Sequence, residues 1–577
     1  MLGKAELVII NAEIYSVDKN DNLSINQALA VDNGRIIYVG DNARVDSLID
    51  ADSRVIDMKG KTVLPGFCDA HLHASMTAEQ VFDFSLYEIM PDGEFDRKKM
   101  IDRYREVIKA NAGKNKNIIR GVGWDPSLFI SDPLGQPTAD DLNGISDDIP
   151  IMIRSYDHHY IWVNHKALEL ARIDKNTETP RNSIITRDAD GNPLGIFQET
   201  TATDLLINRL PYADYTVDEY KEGIRAYQTR FANKYGTTLI FDAFNSANGM
   251  QAYYDMAKDG ELTIRVKTCF YADPSLPSSQ FDDMIAQKGK YHVDDVFGVD
   301  TVKFFIDGSG LSFFMNEPFD KAFTEKVGLS EDYRGYPQWD QNELNNTFLK
   351  LDAEGFQIHL HCMGDGATTM ALNALEYVSK RSPIKENRHT ITHLMQVQEN
   401  DIKRMASLGI IAAMQPMWSI YDSFAEIQAS ELLGRRRILD QYPMGSLRRA
   451  GVTVSAATDF PITIPPDPYI GIQTAIIRAV PKAHPDYAAY HDKKLGPTDD
   501  PLKNAVELKD IIGSYTIYGA LQCFLENTTG SIEVGKSADF VLLSDTLTKI
   551  PSDEIESVYA EKTFFKGKEV FSVPFSG

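Results

Sequence analysis

An α/β protein built on a closed (β/α)8 barrel of the TIM type is the fold class that three observations in this sequence predict. Short apolar strands alternate with amphipathic helical stretches through the middle of the chain. Eight such strands can be counted, the number a closed barrel needs: Val63 to His73, Thr237 to Ala243, Leu262 to Phe270, Val302 to Asp307, Gln357 to His361, Thr390 to His393, Ile410 to Gln415 and Val452 to Asp459. The histidines, lysine and aspartate that could carry chemistry, His73, Lys303, His361, His393 and Asp459, fall at or near the C-terminal ends of these strands, where barrel enzymes place their sites.

Residues 1–64 read as short strands broken by turns, with Asn33-Gly34 as a hairpin signal, and the last 45 or so residues behave similarly. Two half-sheets at opposite ends of a chain suggest one small β-sandwich, from 1–64 plus 530–577. The gap of about 160 residues between the first two barrel strands is too long for a loop, so 76–220 is expected to be an inserted α+β domain. The barrel then comprises 65–75 plus 221–529.

Composition bounds the rest. The 577 residues, 43% hydrophobic and 25% charged, describe an ordinary globular protein of two or three domains. A formal net charge of -24 opposes binding to nucleic acid or an anionic membrane. No run approaches a membrane span, and Cys68, Cys269, Cys362 and Cys523 lack paired spacing, so reduced core thiols and a cytoplasmic location are expected. The sequence admits a homodimer.

The most informative stretch is Leu64-Pro65-Gly66-Phe67-Cys68-Asp69-Ala70-His71-Leu72-His73. Side chains alternate on a strand, so His71 and His73 face the same way, roughly 7 Å apart, a usable half-site for zinc or a similar cation. Lys303 lies in an apolar strand where a charged ammonium is costly to bury, so it is either a snorkelling surface lysine or a neutralised amine. Asp459 follows an apolar run, as a turn or capping aspartate does, yet it sits at the eighth strand end.

The Pro-Gly-Phe-x-Asp-x-His-x-His context resembles the first barrel strand of the amidohydrolase superfamily. The chain is also similar to the YtcJ-like, or amidohydrolase 3, branch in Val302-Lys303-Phe304-Phe305-Ile306-Asp307-Gly308-Ser309, His361-Cys362-Met363-Gly364-Asp365, Arg388-His389-Thr390-Ile391-Thr392-His393, Ala457-Thr458-Asp459-Phe460-Pro461 and the closing Gly530 to Phe540 segment. The resemblance implies a metal-dependent hydrolase with His71, His73, Lys303, His361, His393 and Asp459 as ligands. Family position and the strand end favour His361 over His359, which reads as a packed or hydrogen-bonded barrel residue, and His393 over His389. Two divalent cations are implied, zinc first with manganese or iron as alternatives, bridged by a carbamylated Lys303. Asp459 and Lys303 then serve catalysis: metal-bound water attacks a polarised carbonyl, and Asp459 carries the proton to the departing amine.

His159, in Asp157-His158-His159-Tyr160-Ile161-Trp162-Val163-Asn164, is similar to the branch's Asp-Gly-His-Ser-x-Trp-x-Asn and is expected to bind substrate. His158 stands for the family glycine and Tyr160 for its serine. Trp124 is either a wall of the substrate pocket or a core residue. The expected reaction is hydrolysis of a non-peptide carbon-nitrogen bond in a small amide. The alternatives are a lactone, ester or phosphoester hydrolase on the same site, or a non-catalytic metal-binding regulator.

Overall fold

The computed structural model describes residues 4–91, 94–113, 116–129, 132, 134–427 and 432–573. Residues 1–3 and 574–577, the ends of the expected terminal half-sheets, lie outside them. Eight parallel strands form the barrel wall: β1 (Phe67–Leu72), β2 (Thr237–Asp242), β3 (Arg265–Tyr271), β4 (Phe297–Phe305), β5 (Gln357–Cys362), β6 (Thr390–His393), β7 (Ile411–Met414) and β8 (Val454–Ala456). They pair in chain order from β1 to β8. All are fully buried or nearly so, as strands covered on both faces must be.

The seam between β8 and β1 closes by a different device. β8 ends at Ala456, and the irregular Ala457–Phe460 segment runs beside β1 in its place. Asp459 N–H donates to the His71 carbonyl at 2.9 Å, His73 N–H donates to that of Phe460 at 2.6 Å, and Thr458 N–H donates to the Asp69 carboxylate at 3.0 Å. This segment therefore carries Asp459 to the level of the two histidines.

The expected strand from Val63 to His73 is two strands. Thr62–Pro65 belongs to a terminal sheet, where it pairs with Glu13–Val17 and Phe540–Leu543, and only β1 enters the barrel. Gly66 joins them. A Cβ there would lie 2.2 Å from Thr238 Oγ1, so the chain can cross from one sheet to the other against β2 only without a side chain.

Two terminal sheets sandwich a core that includes Ile9, Leu29, Val31, Phe540 and Phe564. One is wholly N-terminal, Arg35–Gly40, Ala28–Asp32, Leu7–Ile10 and Arg54–Asp57. The other places Lys568–Ser572, Ala560–Phe565 and Phe540–Leu543 beside Thr62–Pro65, Glu13–Val17 and Leu23–Asn26. Asn33 and Gly34 form the expected hairpin turn, with φ of 48° and 72°.

Between β1 and β2 lies a six-stranded sheet of its own, in the order Ile184–Arg187, Pro193–Gln198, Tyr160–Val163, Ile151–Ser155, Ile119–Trp124, Phe84–Ser85. The helix Arg97–Asn111 packs Met100, Ile101, Tyr104 and Ile108 against it. Arg154 and Arg120 join this sheet to neighbouring elements through Glu79 at 3.1 Å and Asp83 at 3.1 Å. The chain then returns to the barrel through Val217–Tyr227, started by a Thr216/Glu219 capping box.

Trp124 belongs to this insertion's core. It is fully buried, packs edge-on against Phe129, Tyr160 and Trp162, and donates Nε1–H to the Ile153 carbonyl at 3.2 Å. The pocket-wall reading is corrected accordingly: the indole satisfies both its apolar body and its polar tip inside the insertion, and it does not line the cavity described below. Among the described residues no helix is long and apolar enough to cross a membrane. The four cysteines are buried and free.

Candidate metal centre

The C-terminal ends of β1, β4, β5, β6 and the segment after β8 converge on one cluster. Asp459 Oδ1 lies 3.3 Å from His71 Nε2 and 3.3 Å from His73 Nε2, and donor atoms of these three residues all fall within 4.8 Å of one another. Lys303 Nζ is 3.5 Å from His71 Nε2. His361 and His393 stand ring to ring at 4.5 Å, with His393 5.0 Å from the His71 ring. The sheet register sets these heights: Lys303 pairs with His359, Phe305 with His361 and Cys362 with His393.

His71 and His393 are each held by a neighbour. His71 Nδ1 meets His359 Nε2 at 2.7 Å, which leaves His71 Nε2 for the cluster. His393 Nδ1 is 3.2 Å from Gln415 Oε1, and the Trp418 ring stacks on His393 at 5.6 Å. Asp307 accepts backbone N–H from Phe314, Met363 and Gly364 at 3.0, 3.0 and 2.8 Å, and its Oδ1 stands 3.7 Å from His361 Nε2. His389 lies apart, accepting from Ile358 N–H and meeting Asp352 Oδ1 at 3.0 Å.

Electrostatics prepares the donors for a cation. Burial holds His71 and His361 well below the usual imidazole range, with the Lys303 charge adding to it for both and His393 for His361, and pushes His393 down to about 4. Burial raises the Asp459 carboxyl, but the His71 and His73 imidazoles, each 3.3 Å from Oδ1, outweigh it and hold the group well below the carboxylate range. Burial brings Lys303 down to about 8. His361 Nε2 and Asp459 Oδ1 are buried with no hydrogen-bond partner of their own. Neutral imidazoles, an ionised carboxylate and orphaned donor atoms with no thiolate among them suit zinc, manganese or iron. The residues fit a divalent metal.

Several residues around the site have positive φ. His393 and Asp459 have φ of 70° and 59°, and His158 has 62°. Glu199, at φ 69° and ψ 156°, occupies a region that is almost glycine's alone. Its carboxylate meets His159 Nδ1 at 2.9 Å and accepts from Ser312 Oγ at 2.5 Å. Burial lowers His159, but the Glu199 charge and hydrogen bond overcome it and raise the imidazole to about 9. The His159 ring is 6.0 Å from that of His361, so the insertion supplies a cationic group across the cavity from the cluster.

That cavity, about 640 Å³, lies between barrel and insertion and is lined by His73, Lys303, His361, His393 and Asp459 on one side and by His159 on the other. Sequence reasoning left Glu199, Gln415 and Asp307 without a role. Asp307 stood in a quoted segment and Gln415 closes the seventh strand, but nothing local marks the partners of these three.

Fold and site together define a metal-dependent hydrolase on a (β/α)8 barrel. A family model described as "Amidohydrolase family" matches residues 54–571, and the chain belongs to that family of enzymes acting on carbon-nitrogen bonds other than peptide bonds. It is 27% identical to the protein LONG AFTER FAR-RED 3 of Arabidopsis thaliana, over 98% of this chain and 92% of the relative. It is 25% identical to the N-substituted formamide deformylase of Arthrobacter pascens, over 98% of both. The crystal structure of a metal-dependent hydrolase from Pyrococcus horikoshii shares the fold, with a TM-score of 0.70 at 23% identity, over 95% of this chain and 99% of that one.

Proposed function

We propose that the chain hydrolyses the carbon-nitrogen bond of a small N-acyl, N-formyl or cyclic amide. The observation that carries this reading is the convergence of His71, His73 and Asp459, with their donor atoms inside 4.8 Å, on a cavity that also receives Lys303, His361 and His393. These six residues would hold two divalent cations, zinc first. Bound there, the metal supplies Lewis acidity to the carbonyl and brings the pKa of a water towards roughly 7.

The chain's own groups do the rest. Asp459, ionised, accepts a proton from the attacking water and returns it to the departing nitrogen, so water adds across the bond to leave an acid and an amine. His159, its Nδ1 engaged by Glu199, presents Nε2 towards the substrate as a donor for the carbonyl oxygen. Lys303, with its amine brought down to about 8 by burial, takes up carbon dioxide. The Nζ–C bond forms, the nitrogen proton passes to solvent, and the carbamate offers two oxygens to the cluster.

The activity named for the Arthrobacter pascens relative makes N-substituted formamides the first substrates to try. Metal-loaded protein should hydrolyse a member of a panel of formamides, acetamides and cyclic amides, and His71→Ala and His393→Ala should lose metal by elemental analysis. Turnover restricted to lactones or phosphoesters, or a folded and active metal-free preparation, would overturn the reading.

A further inference from the structure

The cavity has a second end, away from the cluster. Three aromatic rings at the ends of β2, β3 and β4 lead to it: Phe244 and Tyr271 are 5.0 Å apart, Tyr271 and Phe305 5.9 Å, and Phe305 lies 4.9 Å from His361. Beyond them the insertion helix Thr200–Arg209 brings Asp204 to the wall, and the loop after β3 brings Asp273.

Neither carboxylate has an ion-pair partner among the described residues. Asp204 makes no hydrogen bond or ion pair among the described residues, and it lines the cavity. Asp273 is 7% exposed, and only its Oδ1 is used, by Ser275 N–H and Oγ at 2.8 and 2.7 Å. The Tyr271 hydroxyl is buried and has no hydrogen-bond partner. Arg154, the guanidinium on the cavity wall, is engaged by Glu79. Burial, followed by the Asp273 charge, pushes the Asp204 carboxyl up to about 8 against the opposing Arg154 charge.

We infer that this end of the cavity receives a cationic group, an ammonium or guanidinium on a short apolar stem, carried by the substrate on the side away from the scissile bond. The stem lies along Phe244, Tyr271 and Phe305, whose ring faces favour a cation, and the head meets Asp204 and the free oxygen of Asp273. Anionic substrates meet two carboxylates that have no ion-pair partner among the described residues, and are rejected. The inference rests on the amide-hydrolase reading for which end of the ligand faces the cluster, and binding and turnover separate the two.

Calorimetric titration of the metal-loaded enzyme with three probes of matched length tests it: N-pentylacetamide, a mono-N-acetylated pentane diamine, and an N-acetylated aminopentanoic acid. The diamine derivative should bind about tenfold or more tighter than the neutral probe, and the acid weaker than both. In Asp204→Asn and in Asp273→Asn that preference should fall to near unity, with affinity for N-pentylacetamide unchanged. Equal binding of all three probes, failure of every probe to bind, or a preference that survives both substitutions overturns the subsite. The cationic preference without hydrolysis of any amide supports the subsite and sinks the amide-hydrolase reading. Hydrolysis without the preference does the reverse.

Discussion

His71 Nδ1 and His359 Nε2 stand 2.7 Å apart in the middle of the barrel, so one histidine of β5 fixes the ring of a histidine of β1. With Nδ1 engaged, His71 turns Nε2 to Asp459. His359→Phe should preserve the fold yet weaken metal binding by roughly 10 to 100 fold, the usual effect of losing an orienting partner behind a ligand. A chelator competition titration reads this directly, and unchanged affinity would deny His359 that role.

Asp459→Asn keeps an oxygen for a cation but cannot take up a proton. Turnover should fall by roughly 10² to 10⁴ while most of the metal remains, measured as kcat against elemental content on one preparation. Normal turnover would move the proton to another group, with His159 the first to examine.

Lys303 should carry the mass of one carbon dioxide in native mass spectrometry and lose it on acidification. Lys303→Ala should lose metal and activity, and a short carboxylic acid supplied with metal should restore part of both. Full occupancy and activity in Lys303→Ala without rescue would reject the bridge.

His159 is raised to about 9 by Glu199 against burial, so its imidazolium persists through neutral pH. A raised base contributes fully below its unfolded pKa of roughly 6.5, and the contribution is lost as pH rises through the folded value. The kcat/KM profile should therefore fall on an alkaline limb near pH 9, and Glu199→Gln should move that limb to lower pH. A limb that stays in place would separate His159 from substrate binding.

Trp124→Ala should cost about 3 to 5 kcal/mol through loss of the insertion's packing. Thermal melting should show it, with KM for a hydrolysed amide little changed in the protein that remains folded. A selective rise in KM would return Trp124 to the pocket.

Barrel, insertion and terminal sandwich were legible because their signals are local: apolar runs, a hairpin dipeptide and a gap too long for a loop. His71 and His73 were legible as a pair because alternation on a strand turns both one way, whereas Lys303, His361, His393 and Asp459 were singled out by the family resemblance together with their places at strand ends. Glu199 was not, since its partner His159 is 40 residues away with three strands between them in the sequence, and its backbone strain leaves no mark in composition. The break at Gly66 was hidden for a related reason: Val63 to His73 reads as one apolar run, and only the approach of Thr238 divides it. Trp124 stayed ambiguous because an indole in a cavity wall and one in a core look alike in sequence.

The crossing at Gly66 also bears on the order in which the molecule can be assembled. Pro65 pairs with Phe540, close to the end of the chain, and His71 is bonded to Asp459 across nearly 400 residues of sequence. During synthesis the first histidine pair therefore leaves the ribosome with neither its sheet partner nor its seam, and contacts of such long sequence separation form slowly. Metal captured early by the exposed pair would be held without Asp459, His361 or His393. A cluster drawn from β1 and the segment after β8 is therefore complete only once that segment has been made and has closed the seam.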